Sequence, residues 1–280
     1  MKKEDVMDTV RDSIEVRGVQ VTPEVAKRWL SMSNGNRKIK MATARAYARD
    51  MEAGRWKFNG EAICFDKDGT LRDGHHRLEA VIIANKAVNM MVVYGLDADE
   101  CDVYDVGVTR SFADINTINN KPPTFSNTKI LALARAHLLM QYGIKKPTVS
   151  EIDEFIGRNQ ECLEWVAKIC KANTGSIASN AGVMYAVFCA VKCGVDRATL
   201  EHFIDILMSG YLEGKDERPA AILYRDLLSL GKYGGRNVSI QRQRVTECAI
   251  RDFVDRKVRT KSYIRTAKPV YSDKPIIKEI

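Results

Sequence analysis

Chemistry concentrates in the segment Asp73-Gly74-His75-His76-Arg77, which leads from a short polar hairpin into an apolar-periodic stretch. Where a glycine-opened loop feeds a helix start, the unpaired peptide N–H groups carry partial positive charge and form an anion site. Gly74 has no Cβ and lets backbone come close to a ligand. Arg77 adds a planar guanidinium fork suited to phosphate, and His75 and His76 add imidazoles that donate hydrogen bonds or move a proton. Asp73 is placed to orient His75 or Arg77, to ligate a nucleotide-bound Mg²⁺, or to act as a plain N-cap. Phosphate recognition is the simplest chemistry for this set. No resident metal is expected, because adjacent histidines seldom face one ion. The competing reading is structural: the two histidines cap and pack.

The surrounding pattern predicts the elements that hold this loop. Thr22-Pro23-Glu24 reads as an N-cap, a first helical position and a first-turn acid, in a helix that stops before Ser33. A second helix is expected over 40–53, ended by Gly54. Strands are expected over 61–65 and 70–72, joined by a turn in which Asp66 and Asp68 serve turn chemistry. The loop 73–77, a helix over 78–85 and a buried strand over 88–94 follow. Beyond Lys121-Pro122-Pro123 strand signals cease. Helices are expected over 126–142, 150–171, 177–193, 196–213, 216–230 and 239–259, with Ser150 and Asp153 in the places of a capping box. The expected class is α+β: a small mixed domain over 1–120, an all-helical domain over 121–260 and an extended tail over 261–280. No internal repeat is present.

Composition limits the possibilities. The 280 residues are 45% hydrophobic and 29% charged, a balance suited to folded chain rather than disorder. No apolar run reaches the roughly 18 residues of a membrane-spanning helix, and MKKEDVMDTVRD is charged where a secretion signal is apolar. A cytoplasmic protein is expected. The seven scattered cysteines are expected to be small buried hydrophobes. Cys189 and Cys193, four apart on a helix, are the pair with metal spacing. The net charge of +8 is uneven: residues 27–55 carry eight Lys/Arg against two acids, and residues 236–268 ten against three. Such segments favour polyanions or form solvated helix faces. On the expected helix 239–259, Arg244, Arg251 and Arg259 share a face beside Val245, Ala249 and Phe253, a stripe able to lie along DNA phosphates without reading sequence. Trp29, Tyr47 and Trp56 read as core aromatics, with base stacking as the alternative. His137 and His202 sit singly on helices and read as core or surface residues.

Across about residues 20–115 the order of features resembles the ParB N-terminal/sulfiredoxin-like superfamily, in the form common among phage and prophage proteins. The matching features are Asn36-Arg37, the helix 40–53 with its Gly54-Arg55-Trp56 exit, the hairpin into Asp73–Arg77, and the helix and strand that follow. Gly95-Leu96-Asp97 and Asp105-x-Gly107-x-x-Arg110 complete the set. The resemblance implies a nucleotide polyphosphate, ATP or CTP with Mg²⁺, held by Gly74, Arg77, Arg37 and Arg110, with His75, His76 and Asp73 as the catalytic candidates. His75 stands where sulfiredoxins carry their cysteine, so sulfinic-acid reduction is not implied. The loop is nearest that of the free-serine kinases, which also need an early carboxylate base; Glu24 and Glu61 are the positional candidates. The implied activity is a nucleotide-dependent enzyme (phosphotransfer, hydrolysis or nuclease chemistry) or a switch. The alternative is a DNA-binding protein, related to partition or DNA modification, that uses segments 27–55 and 236–268. A homo-oligomer in the host cytoplasm is compatible with either.

Overall fold

The computed structural model describes residues 14–33, 39–97, 115–116, 121–171, 176–231 and 236–272. Two compact units are present, residues 1–109 and 110–280. The division therefore falls earlier than the expected boundary at 120. The described part of the tail, to residue 272, packs on the second unit, where Tyr263 and Tyr271 are buried in the core.

The first unit is a mixed four-stranded sheet in the order β1 (Glu15–Val21), β4 (Val88–Leu96), β2 (Ala62–Asp66), β3 (Leu71–Asp73). The β1–β4 and β2–β3 pairs are antiparallel, and β2–β4 is parallel. Strand β1 has no counterpart in the sequence reading, because EVRGVQV is an exposed edge whose residues are mostly solvated and carry no clear alternation. Among the described residues, helices α1 (Pro23–Leu30), α2 (Met41–Glu52) and α3 (His75–Ala84) accompany the sheet. Thr22 caps α1 as expected, its Oγ1 accepting the Val25 N–H at 3.3 Å. The core joins Val21, Met51, Ile63, Leu71, Leu78 and Val92. Trp29 meets Phe65 edge-on at 5.3 Å, and Tyr47 meets Trp56 at 5.9 Å, so these aromatics close the core.

The hairpin tip is built by Asp66. Its buried carboxylate accepts the N–H groups of Asp68 and Thr70 at 3.0 and 2.8 Å and the Arg72 Nε–H at 2.6 Å. Burial alone pushes this acid up, but the three donors outweigh it and hold Asp66 below the ordinary carboxylate range.

The second unit contains α4 (Thr128–Tyr142), α5 (Val149–Arg158), α6 (Gln160–Ile169), α7 (Ala181–Lys192), α8 (Arg197–Ser209), α9 (Arg218–Gly231) and α10 (Arg236–Val254). Helix α7 is its centre, with every residue from Gly182 to Ala190 buried, as an all-apolar helix requires. The stretch expected as one helix over 150–171 is two, broken at Asn159, whose Nδ2–H bonds the Phe155 carbonyl at 2.9 Å. The capping box is Thr148 with Glu151, two residues earlier than expected. Cys64, Cys162, Cys170, Cys189 and Cys248 are buried free thiols. Burial pushes Cys170 up to about 12 and Cys189 well above the ordinary thiol value, so both stay protonated.

Buried acids fasten the tail. Glu247, fully buried, accepts the backbone N–H groups of Val270 at 2.6 Å and Tyr271 at 3.0 Å. Asp226 accepts that of Tyr263 at 2.6 Å. Such bonds to backbone replace the ladder that an irregular segment lacks.

Candidate functional site: the start of helix α3

The five residues foreseen as a loop are mostly helix. Asp73 ends β3, Gly74 is the N-cap of α3, and His75, His76 and Arg77 form its first turn. Gly74 has φ +103°, in the left-handed region that glycine tolerates. A Cβ there would lie 2.4 Å from Ile63 Cδ1 and 3.2 Å from Ile63 Cα. The close approach that Gly74 permits is therefore to strand β2, and the expectation that it clears space for a ligand is corrected on that ground.

Arg77 departs furthest from its expected role. Its side chain is 11% exposed, and the guanidinium is committed inward. Nη1 donates to Glu61 Oε2 at 2.7 Å, while Nη2 donates to Asp73 Oδ2 at 2.9 Å and to the Ala62 carbonyl at 2.7 Å. Nε is buried without a hydrogen-bond partner. Arg77 thus joins β2, the end of β3 and the first turn of α3, and is not a free phosphate arm. The two carboxylates it holds stay largely solvated, at 65% and 51% exposure. The local sum of these three groups is one negative charge, the opposite of a ready anion pocket.

The histidines reach other segments. His75 Nε2 lies 2.9 Å from Ser33 Oγ, just beyond α1. His76 Nε2 accepts the Lys40 backbone N–H at 3.0 Å, at the N-cap of α2. A peptide N–H can only donate, so that bond requires an unprotonated Nε2 and places the neutral imidazole's proton on Nδ1. One helical turn therefore ties the ends of α1 and α2 to the sheet.

Of the residues expected at this site, Asp73, Gly74, His75, His76 and Arg77 come together, and Glu61 joins them. Glu24 does not; it sits in the first turn of α1, where bonds to backbone and to Thr22 hold its carboxyl below the ordinary range. Arg37 and Arg110, together with Asn36 and Asp105, lie outside the described residues. The Asp73–Arg77 spacing is the helical i, i+4 pairing of opposite charges, a signal present in the sequence. Glu61 is a positional candidate only through the resemblance, and the Ala62 carbonyl had no comparable signal, since the strand register is what brings both here. Among the described residues no group of three or more His, Cys, Asp or Glu side chains is arranged to hold a metal by itself.

The expected DNA-facing stripe also changes. Helix α10 ends at Val254, and Arg256 has φ +52°, so Arg259 is off the helix. Its guanidinium lies 4.0 Å over the Tyr263 ring and donates to the carbonyls of Lys261 and Ser262. Arg251 donates twice to Asp252 Oδ1, at 3.1 and 2.8 Å, and Arg259 reaches Asp252 Oδ2 at 3.5 Å. Of the three, Arg244 is exposed, and Arg251 and Arg259 are half-buried. Val245 and Ala249 are buried and Phe253 packs on Phe203, so the apolar row faces the core as expected. No helix among the described residues is long and apolar enough to cross a membrane.

Comparison of the chain with protein-family models, curated proteins and solved structures returns no match.

Proposed function

We propose that the first unit binds a nucleotide, ATP or CTP, as its Mg²⁺ complex at the start of α3. The observation that carries this reading is a pair of solvated carboxylates, Glu61 and Asp73, held by one buried guanidinium at a helix N-terminus. The donor set fits the ion: Mg²⁺ commonly takes one or two carboxylates and completes its shell with water and phosphate oxygens. The bound cation supplies the charge that reconciles these acids with a polyphosphate. In this scheme Arg77 is a positioning residue that sets the two carboxylates. His75 contacts phosphate, while His76 fixes the helix start against α2 and presents a protonated Nδ1. Phosphotransfer or hydrolysis then rests on position and charge.

Calorimetry of the full chain with ATP and CTP, with and without Mg²⁺, tests this. Saturable binding that requires Mg²⁺ and weakens about tenfold or more in Asp73→Asn is expected, equivalent to about 1.4 kcal/mol. Binding unchanged by Asp73→Asn, or no binding of either nucleotide, overturns it. The second reading, non-specific DNA binding by α10, keeps Arg244 as its solvated cation. It predicts affinity that falls steeply with salt and drops in Arg244→Gln.

A further inference from the structure

Helices α4 and α10 both pack on α7, and between them the second unit holds a cleft of about 200 Å³. An apolar cavity of about 150 Å³ accommodates benzene, so this one has room for a ring or a short hydrocarbon chain. Its walls are apolar: Ala132, Ala136, Leu139 and Met140 from α4, Ile240 from α10, and Pro147 from the segment between α4 and α5. All six are half-buried, so part of each wall still faces water.

Local structure explains why these residues meet. Residues 132, 136 and 140 recur every four along α4, with 135 and 139 beside them, so they form one face of the helix. The chain then doubles back at Gly143, whose φ of +66° lies in the left-handed region, and the Ile144 N–H closes the turn on the Leu138 carbonyl at 3.1 Å. That reversal returns Lys145 and Pro147 to the same cleft. At Gly182, in the first turn of α7, a Cβ would lie 2.6 Å from the Ser239 carbonyl oxygen. Glycine there lets α10 lie directly on α7 and bring Ile240 to the opposite wall.

The rim is of a different kind. Arg135 and Lys145 line the cleft and are exposed, and neither is paired with an acid among the described residues. No acid is among the described lining residues either. Arg77 and Arg251, by contrast, are committed to carboxylates of the chain itself. Small-molecule sites combine apolar walls with a few placed polar groups, and a guanidinium with an ammonium is a donor set that holds a carboxylate.

We infer that this cleft binds an amphipathic monocarboxylate, its short hydrocarbon between the α4 and α10 walls and its carboxylate on Arg135 and Lys145. The site belongs to the second unit and does not depend on the reading given for the start of α3.

The test is calorimetric titration of the full chain with hexanoate, 1-hexanol and acetate, at neutral pH and constant ionic strength. Saturable binding of hexanoate is expected, at least tenfold tighter than the alcohol, which lacks the charge, or acetate, which lacks the chain. The double variant Arg135→Gln/Lys145→Gln should weaken it about tenfold. Both side chains are exposed, so thermal unfolding should stay unchanged and separate lost contact from lost fold. Ala132→Leu, which fills the slot and leaves both cations in place, should weaken binding at least as much. Asp73→Asn should leave it intact. No saturable binding, hexanol or acetate binding as tightly as hexanoate, or affinity that survives either cleft variant in a folded chain overturns the assignment. Affinity lost in Asp73→Asn overturns it equally.

Discussion

Arg77 in the first unit and the Arg251–Asp252–Arg259 group in the second are opposite solutions to one problem. In the first, the cation is buried, and the two acids that neutralise it stay 65% and 51% exposed. In the second, the acid is buried at 4% exposure, and the two arginines stay 40% and 25% exposed. Both clusters are internally paired, yet the charge left facing water has opposite sign. The sequence reads both as anion sites, one from its loop and one from its basic stretch. The burial of one partner decides instead what each surface offers: carboxylates at α3, and guanidinium edges at the end of α10.

The largest expected effect follows from removing the buried member of the second cluster. Asp252→Ala leaves Arg251 and Arg259 without their carboxylate and the Tyr263 hydroxyl without its 3.2 Å acceptor. A loss of about 3–4 kcal/mol in chemical denaturation is expected. The segment 257–272 should become protease-sensitive, because Tyr263 and Arg259 anchor it. A loss below about 1 kcal/mol would mean that the exposed arginines, rather than the buried acid, set the energetics.

Acid separates the units next. His137 is buried in the second unit, stacked on Phe155 at 4.4 Å and edge-on to Tyr185 and Phe188. Burial, with a smaller contribution from Lys192, depresses its pKa to about 4. The folded value is below the unfolded one of roughly 6.5, so the folded state binds fewer protons in that interval. Stability is full above about pH 6.5 and falls by about 3 kcal/mol as pH drops toward 4. His137→Phe should flatten that slope in denaturation measured across the interval. Asp66 in the first unit has its pKa lowered, so its contribution is present above the ordinary carboxylate value and is lost only as pH falls through the depressed one. Asp66→Asn should therefore alter stability at neutral pH while leaving the pH 4–6.5 slope in place.

Local rules made much of this molecule legible. Thr22-Pro23 marked the start of α1, Asp66 marked its turn, and the pattern over 177–193 marked a helix, because each signal lies within a few residues of what it determines. Strand β1 was missed because an edge strand has little apolar alternation to display. The sequence places glycine, two histidines and an arginine in one turn, and they are indeed gathered there. Their partners come from elsewhere: Glu61 through strand register, Ser33 beyond α1, Lys40 at the entry to α2. Whether an arginine is an arm or a brace depends on such distant partners, and spacing within one motif does not reveal them. The same blindness extended the stripe Arg244–Arg251–Arg259 past the real end of α10, since the left-handed turn at Arg256 has no glycine to announce it.

Smaller effects sharpen the first cluster. Arg77→Met keeps most of the volume but removes two ion pairs and the 2.7 Å bond to the Ala62 carbonyl. Both carboxylates it releases are already solvated, so the expected cost is about 1–2 kcal/mol, well below that of Asp252→Ala. Glu61→Gln should be smaller again. The carboxamide still offers an oxygen to Arg77 Nη1, and the lost charge faces water, where an exposed pair contributes less than about 1 kcal/mol. Removing this acid also relieves its repulsion with Asp73 and makes the local sum neutral, so thermal unfolding should shift by a few degrees at most, and less in high salt. If Glu61→Gln instead cost as much as Asp252→Ala, its carboxylate would have to be desolvated in the folded chain, and the contrast between a buried cation and a buried acid would collapse.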